Sequence, residues 1–378
     1  MALPRSKYVQ EGKEGVYHCF SRCVRRAFLY GFDAHTRRDF SHRKAWIVNR
    51  LRQLAGIFAV DVCAYAVMEN HCHTILRTRP DIAASWSDQE VATRWLTLFP
   101  QNYRRRGAAK LPVEEQIRAL ASCPERITTL RQRLCSLSWF MGQQNEFIAR
   151  AANKEDEVKG RFWESRFQCK ALLDEAAIAA CMVYVDLNPI RAGRAKTPEE
   201  SDFTSIQERI RAWRKETMTP GRAIPKVEPN IPSGTIHRDT VPDNESRTSC
   251  PVAKHVNAQT DPVDSADYWL CPISSGASRR GILSMTAAEY IDLIDKSGRM
   301  IRSDKRGAID ADLRPILLRI GANPQAWTET ISDFGNKFSL VAGVISNLRD
   351  FADQLGRRWF KGVTAARVAF ALSPPQPA

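Results

Sequence analysis

The chain has 378 residues, 43% of them hydrophobic, enough for a sizeable core and for two or three domains. No run approaches the ~18 apolar residues of a membrane span, and Met1-Ala-Leu-Pro-Arg5 lacks the apolar core of a secretory leader, so a cytoplasmic protein with no membrane partner is expected. The formal charge of +14, carried largely by arginine, calls for a polyanionic partner, and nucleic acid is the default one.

In chain order, Gly15 to Phe20 reads as a first strand from its β-branched and aromatic content, followed by a basic turn in which Arg22, Arg25 and Arg26 are candidate phosphate contacts. A helix carries Trp46, Ile47, Leu51, Leu54 and Ala55 at helical spacing, with Gly56 near its end. Two strand-like runs then flank a Glu69-Asn70 turn between Asp61 and Arg77. In an extended chain alternate side chains share a face, so His71, His73 and Ile75 point one way and Cys72, Thr74 and Leu76 the other. A His-x-His pair on a strand is a simple holder of a divalent cation, although the same spacing also suits a solvated strand face. Strand, helix, strand, strand is the start of a ferredoxin-like split β-α-β sheet, which makes the class α+β.

Residues 80–125 read as an insertion whose basic tip, Tyr103-Arg-Arg-Arg-Gly107, offers Arg104 and Arg105 to a phosphate backbone. A helix is expected from about Ile127 to Asn153, striped by Leu134, Leu137, Met141, Ile148 and Ala151. Gln144 interrupts that stripe, either as a boundary group or to reach a metal. Gly160 to Phe167 alternates aromatics with arginines, so Arg161, Trp163 and Arg166 suit a single strand through stacking and phosphate contact; an aromatic loop packed on the core has the same composition. Asp174 is placed to cap a helix bearing Ile178, Cys181, Met182 and Val185, stopped by Asn188-Pro189, and a last helix ends near Arg214.

Residues 216–265, rich in Pro, Ser, Thr and Asn, read as a disordered linker between a domain at 1–215 and a small helical domain at 266–372. In the second domain Gly298, Gly321 and Gly356 are expected at helix ends. Its Arg357-Arg-Trp-Phe-Lys361 suits either DNA or a solvated helix end. The ten cysteines show no Cys-x-x-Cys spacing and read as reduced thiols; Cys19, Cys23 and His71 fit none of the usual zinc patterns.

Taken together, Tyr17-His-Cys-Phe-Ser-Arg22, Tyr65-Ala-Val-Met-Glu-Asn-His-Cys-His73, Gly160-Arg-Phe-Trp-Glu-Ser-Arg-Phe167 and Tyr184-Val-Asp-Leu-Asn-Pro-Ile-Arg-Ala-Gly193 stand in the order of single-tyrosine HUH transposases. The resemblance is to their REP-associated branch and covers about residues 8 to 210. It implies a protein that binds single-stranded or hairpin DNA, then cuts and rejoins it for transposition or related DNA processing. His71 and His73 would hold Mg²⁺ or Mn²⁺, with Gln144 or Glu146 as a third ligand, while a tyrosine attacks to leave a 5′-phosphotyrosine and a free 3′-hydroxyl. Both homodimers and monomers occur in the family.

One departure stands out. The resemblance places the nucleophilic tyrosine on the helix before Trp163-Glu164, where Leu137 to Asn153 contains none and Ile148 and Ala151 occupy the expected positions. Tyr103 is the first substitute and Tyr184 the next, although packing is the expected job of Tyr184. Cleavage by metal-activated water, or DNA binding without cleavage by a domesticated protein, are the other outcomes.

Overall fold

The computed structural model describes residues 4–24, 30–33, 37–100, 113–218, 269–276, 279–301 and 313–370. The first three strands, β1 (Gly15–Arg22), β2 (Val60–Val67) and β3 (His71–Thr78), are buried on both faces along most of their length, with β1 two residues longer than its apolar run. A fourth strand, β4 (Gln168–Leu172), and a two-residue strand, β5 (Val341–Ala342), complete a mixed sheet in the order β2-β3-β1-β4-β5. All neighbours are antiparallel except β4 and β5. The class is therefore α+β.

Register fixes which side chains meet. Phe20 lies opposite His73 and Arg22 opposite His71 across β1 and β3, while His18 lies opposite Lys170 across β1 and β4. Ser21 and Thr74 point to the other face. That second face is covered by α1 (Arg43–Ile57) and α2 (Leu137–Glu155), where Asn145 Nδ2 donates to Ser21 Oγ at 2.8 Å and Thr74 Oγ1 approaches Met141 Sδ at 3.7 Å. The buried guanidinium of Arg43 joins the two helices through Glu155 at 2.7 Å and through Asp156.

The histidine face is covered by α3 (Glu175–Asp186), which is started by Asp174 accepting from the Ala177 amide at 3.0 Å. Nearly all of α3 is buried because it lies between the sheet and later helices, so it is apolar all round rather than on one stripe. Beyond it come α4 (Ser205–Met218), α5 (Ala287–Ile301) and α6 (Trp327–Lys337). The apolar side chains of the C-terminal residues, among them Tyr290, Leu293, Trp327 and Phe334, are contiguous with the core around the sheet. Edge strand β2 is shielded by bridges from Val62 to Leu270 and from Ala66 to Thr204.

Three local expectations change. The long helix expected over Ile127 to Asn153 is two, Pro124–Leu134 and α2, broken at Cys135 and Ser136. Asn188-Pro189 does not end helical structure but opens a further turn, Asn188–Arg191, where proline at a first helical position loses no hydrogen bond. Gly298 lies inside α5, where a Cβ would stand 3.3 Å from Leu187, whereas Gly321 and Gly356 do take the left-handed conformation of helix ends. The expected linker lies almost entirely outside the described residues, α4 running to Met218.

Candidate active site

Three imidazoles meet on one face of the sheet. His18 Nε2 lies 2.9 Å from His73 Nδ1, and the rings are stacked at 5.1 Å. His71 meets His73 edge-on with ring centres 4.8 Å apart. Asn70 Oδ1 lies 2.7 Å from His71 Nδ1, which assigns the proton to Nδ1 and leaves Nε2 with its lone pair. Burial, helped by the charge of Arg22, pushes the His71 pKa down to about 4. Burial and Lys170 push His18 down to about 3. Burial, then the neighbouring His18 and His71, push His73 down as well. All three rings are neutral at pH 7, the form that ligates a cation.

Tyr184 completes the cluster from α3. Its ring stands 5.8 Å from His73 and 6.0 Å from His18, nearly perpendicular to both. The residue is half-buried, and Arg191 holds its guanidinium 4.6 Å from the ring centre. Two residues further along α3, fully buried Asp186 fixes the helix by accepting from Ser205 Oγ at 2.5 Å, the Ile206 amide at 3.1 Å and Tyr290 Oη at 2.7 Å. On its far side Tyr184 faces α6: a Cβ on Gly335 would stand 2.8 Å from the tyrosine hydroxyl. Lys170 Nζ bonds to the Gly335 carbonyl and, at 2.6 Å, to that of Phe338, so the same helix is pinned to β4 beside His18.

Of the residues singled out in the sequence, His71, His73 and Arg22 come together, Arg22 exposed and directly across from His71. The 160–166 segment lies at that same end of β1, through a Cys23–Trp163 bridge and the Glu164 amide donating to the Arg22 carbonyl. Arg161 and Arg166 are exposed there. Trp163 is half-buried, with its N–H committed to the Asn145 carbonyl at 2.8 Å, so one edge of the ring is structural. Gln144 is not at the cluster; it sits on α2, behind the sheet, and its amide donates to the Ile47 carbonyl at 3.3 Å. Tyr103, Arg104, Arg105, Arg25 and Arg26 lie outside the described residues. His18, Lys170 and Arg191 were not read as site residues. Alternation along β1 places His18 with Phe20 and Arg22, but only the β1–β3 register brings it to His73.

Among the described residues, no group of three or more His, Cys, Asp or Glu side chains is arranged to hold a metal ion, and no helix is long and apolar enough to cross a membrane. No protein-family profile matches the chain, and no curated protein does. A solved structure of a REP-associated tyrosine transposase bound to a REP hairpin is similar at a TM-score of 0.33 and 11% identity, over 56% of this chain and 86% of that one. A likeness of that size carries no argument about this chain.

Proposed function

We propose that the protein binds single-stranded or hairpin DNA and breaks and rejoins it, with Tyr184 as the attacking group and His71 and His73 beside it. The observation that carries this reading is the position of Tyr184: a half-buried tyrosine whose ring stands edge-on to His73 and His18, with His71 on the other side of His73, on the face where Arg22 and Arg191 supply positive charge. The sequence resemblance supports it, and so does the strand order β2-β3-β1-β4, which is that of a ferredoxin-like split sheet. Tyr184 thereby replaces Tyr103 as the first candidate nucleophile.

In the proposed step the Tyr184 Oη–P bond forms and the P–O3′ bond breaks. The departing 3′ oxygen ends with the proton that the phenol gives up, and reversal rejoins the strand without a nucleotide cofactor. Arg22 and Arg191 offset the phosphate charge, and the 160–166 segment extends the contact along the strand. His71, with its Nε2 lone pair, and His73, whose Nε2 is free to ligate when its Nδ1 carries the proton shared with His18, would hold a divalent cation, Mn²⁺ better than Mg²⁺. Bound there, such a cation would polarise the scissile phosphate.

DNA binding without cleavage is the second reading, favoured by the His18–His73 hydrogen bond and by the Gly335 backbone set against the tyrosine hydroxyl. A labelled single-stranded hairpin incubated with Mn²⁺ separates the two. The cleavage reading expects a covalent protein–DNA band that Tyr184→Phe abolishes and Tyr103→Phe leaves. Salt-sensitive binding with neither adduct nor cut strand leaves only the second reading.

A further inference from the structure

The C-terminal residues offer a basic, aromatic surface that the proposed site does not use. Arg357, Arg358, Trp359 and Lys361 are all exposed, Trp359 at 67%. None of the three cations forms an ion pair with a described residue, unlike nearby Lys337, which is paired with Glu329 at 2.7 Å. The loop that carries them is built to hold this shape. Gly356 and Gly362 bracket it with positive φ values of 62° and 122°, conformations that glycine adopts without strain. Phe360 points inward, buried against Phe351, and leaves Trp359 outward.

The loop is also joined to the site. A Cβ on Gly362 would stand 2.9 Å from the Phe338 ring, so the loop rests on the end of α6. There the Phe338 carbonyl accepts from Lys170, which pairs across the sheet with His18, itself bonded to His73. The charge on Lys361 reaches Lys170, whose pKa burial first and then Lys361 push down to about 8. Cations without an ion pair among the described residues, set around an outward indole and tied through Phe338 and Lys170 to the proposed site, have the chemistry of a strand contact: guanidinium and ammonium to phosphate, indole to a base.

We infer that the Arg357–Lys361 loop is a second contact for the strand held at Tyr184, with Trp359 stacking on a base and Arg357, Arg358 and Lys361 engaging its phosphates. This rests on the DNA-processing reading above. The occupant is single-stranded DNA, which presents both an unpaired base and a phosphate, whereas a duplex presents only phosphate to such a loop.

Equilibrium binding of a labelled single-stranded DNA to the full chain, measured by anisotropy across a salt series, tests it. Trp359→Ala should weaken binding by roughly 5- to 100-fold while Trp359→Phe keeps most of it, because Phe also stacks. Arg357→Ala, Arg358→Ala and Lys361→Ala together should flatten the slope of log K against log salt by about 2. Circular dichroism identical to wild type is expected, since every substituted side chain is exposed. Unchanged affinity and slope in variants of a protein that binds and cleaves DNA would overturn the loop contact and leave the cleavage site standing. So would a Trp359 effect seen only with the matching RNA. A wild-type protein that binds no single-stranded DNA removes the DNA-processing reading and the loop contact with it.

Discussion

Tyr184 of α3 stands edge-on to His73 of β3, their ring centres 5.8 Å apart and their planes at 79°. The helix that brings them together is pressed from behind by α6, where Gly335 leaves room for the tyrosine hydroxyl. Gly335→Ala puts a methyl carbon 2.8 Å from that hydroxyl, closer than non-bonded atoms sit, so the phenol or the helix must shift. Alanine favours helix by about 1 kcal/mol over glycine, which offsets part of the crowding. The expected outcome is a melting temperature close to wild type with strand cleavage reduced at least tenfold, of order 1.4 kcal/mol in the barrier. Calorimetry beside a cleavage time course separates the two effects.

Asn70 orients His71 through the 2.7 Å contact to Nδ1. Partners of this kind typically contribute 10- to 100-fold to metal affinity, so Asn70→Ala should weaken Mn²⁺ binding by about that factor. Isothermal titration of the two proteins with Mn²⁺ measures it. Equal affinities would mean that His71 holds no ion.

Gln144 gives the opposite expectation. Its amide oxygen is buried without a partner, and its donor goes to the Ile47 carbonyl behind the sheet. Gln144→Leu removes a buried unsatisfied acceptor and keeps the volume, so stability should stay within about 1 kcal/mol of wild type or rise, and Mn²⁺ affinity should not change. Loss of Mn²⁺ binding would return Gln144 to the ligand set.

The depressed histidine pKa values make stability depend on pH. From about pH 6.5 down towards about 4, the unfolded chain protonates His18, His71 and His73 while the folded chain does not, so the unfolded state binds more protons and stability falls with pH. Asp186 acts the other way between 3.8 and about 6, because burial raises its folded pKa to about 6 and the folded state holds the extra proton. Burial raises the Asp174 carboxyl pKa in the same direction, and the three histidines outweigh the two aspartates. Each histidine fully neutral in the fold contributes about 1.4 kcal/mol per pH unit below its unfolded pKa. Urea denaturation should therefore give a lower midpoint at about pH 5 than at about pH 7, and His18→Gln should flatten that difference.

Much of this was legible in the sequence because it is local. Period-two alternation put His71 and His73 on one face with Cys72 behind them, and spacing alone identified the Asp174 cap. Long-range pairing was not legible. Nothing in Leu137 to Asn153 says that this helix lies behind the sheet, so Gln144 looked available to the histidines when its neighbours Met141 and Asn145 in fact meet Thr74 and Ser21 on the other face. The place of Tyr184 was hidden for a related reason. A stripe through Ile178, Cys181, Met182 and Val185 made its neighbour look like a packing position, but α3 is buried on nearly every side, and Tyr184 occupies the partly open end over His73. Strand β4 was hidden because a five-residue run after an aromatic loop carries little periodicity. The two-residue β5 carries none, and it becomes a strand only by pairing with Ala171 and Leu172.

The central claim, that Tyr184 attacks DNA beside His71 and His73, is tested most directly by locating the covalent bond. Protein trapped with a labelled single-stranded hairpin and Mn²⁺ can be digested and the DNA-bearing peptide sequenced by mass spectrometry. The account predicts a phosphodiester on Tyr184, absent from Tyr184→Phe and from His71→Ala. An adduct on Tyr103 or another residue, or cut strand with no adduct, would contradict it.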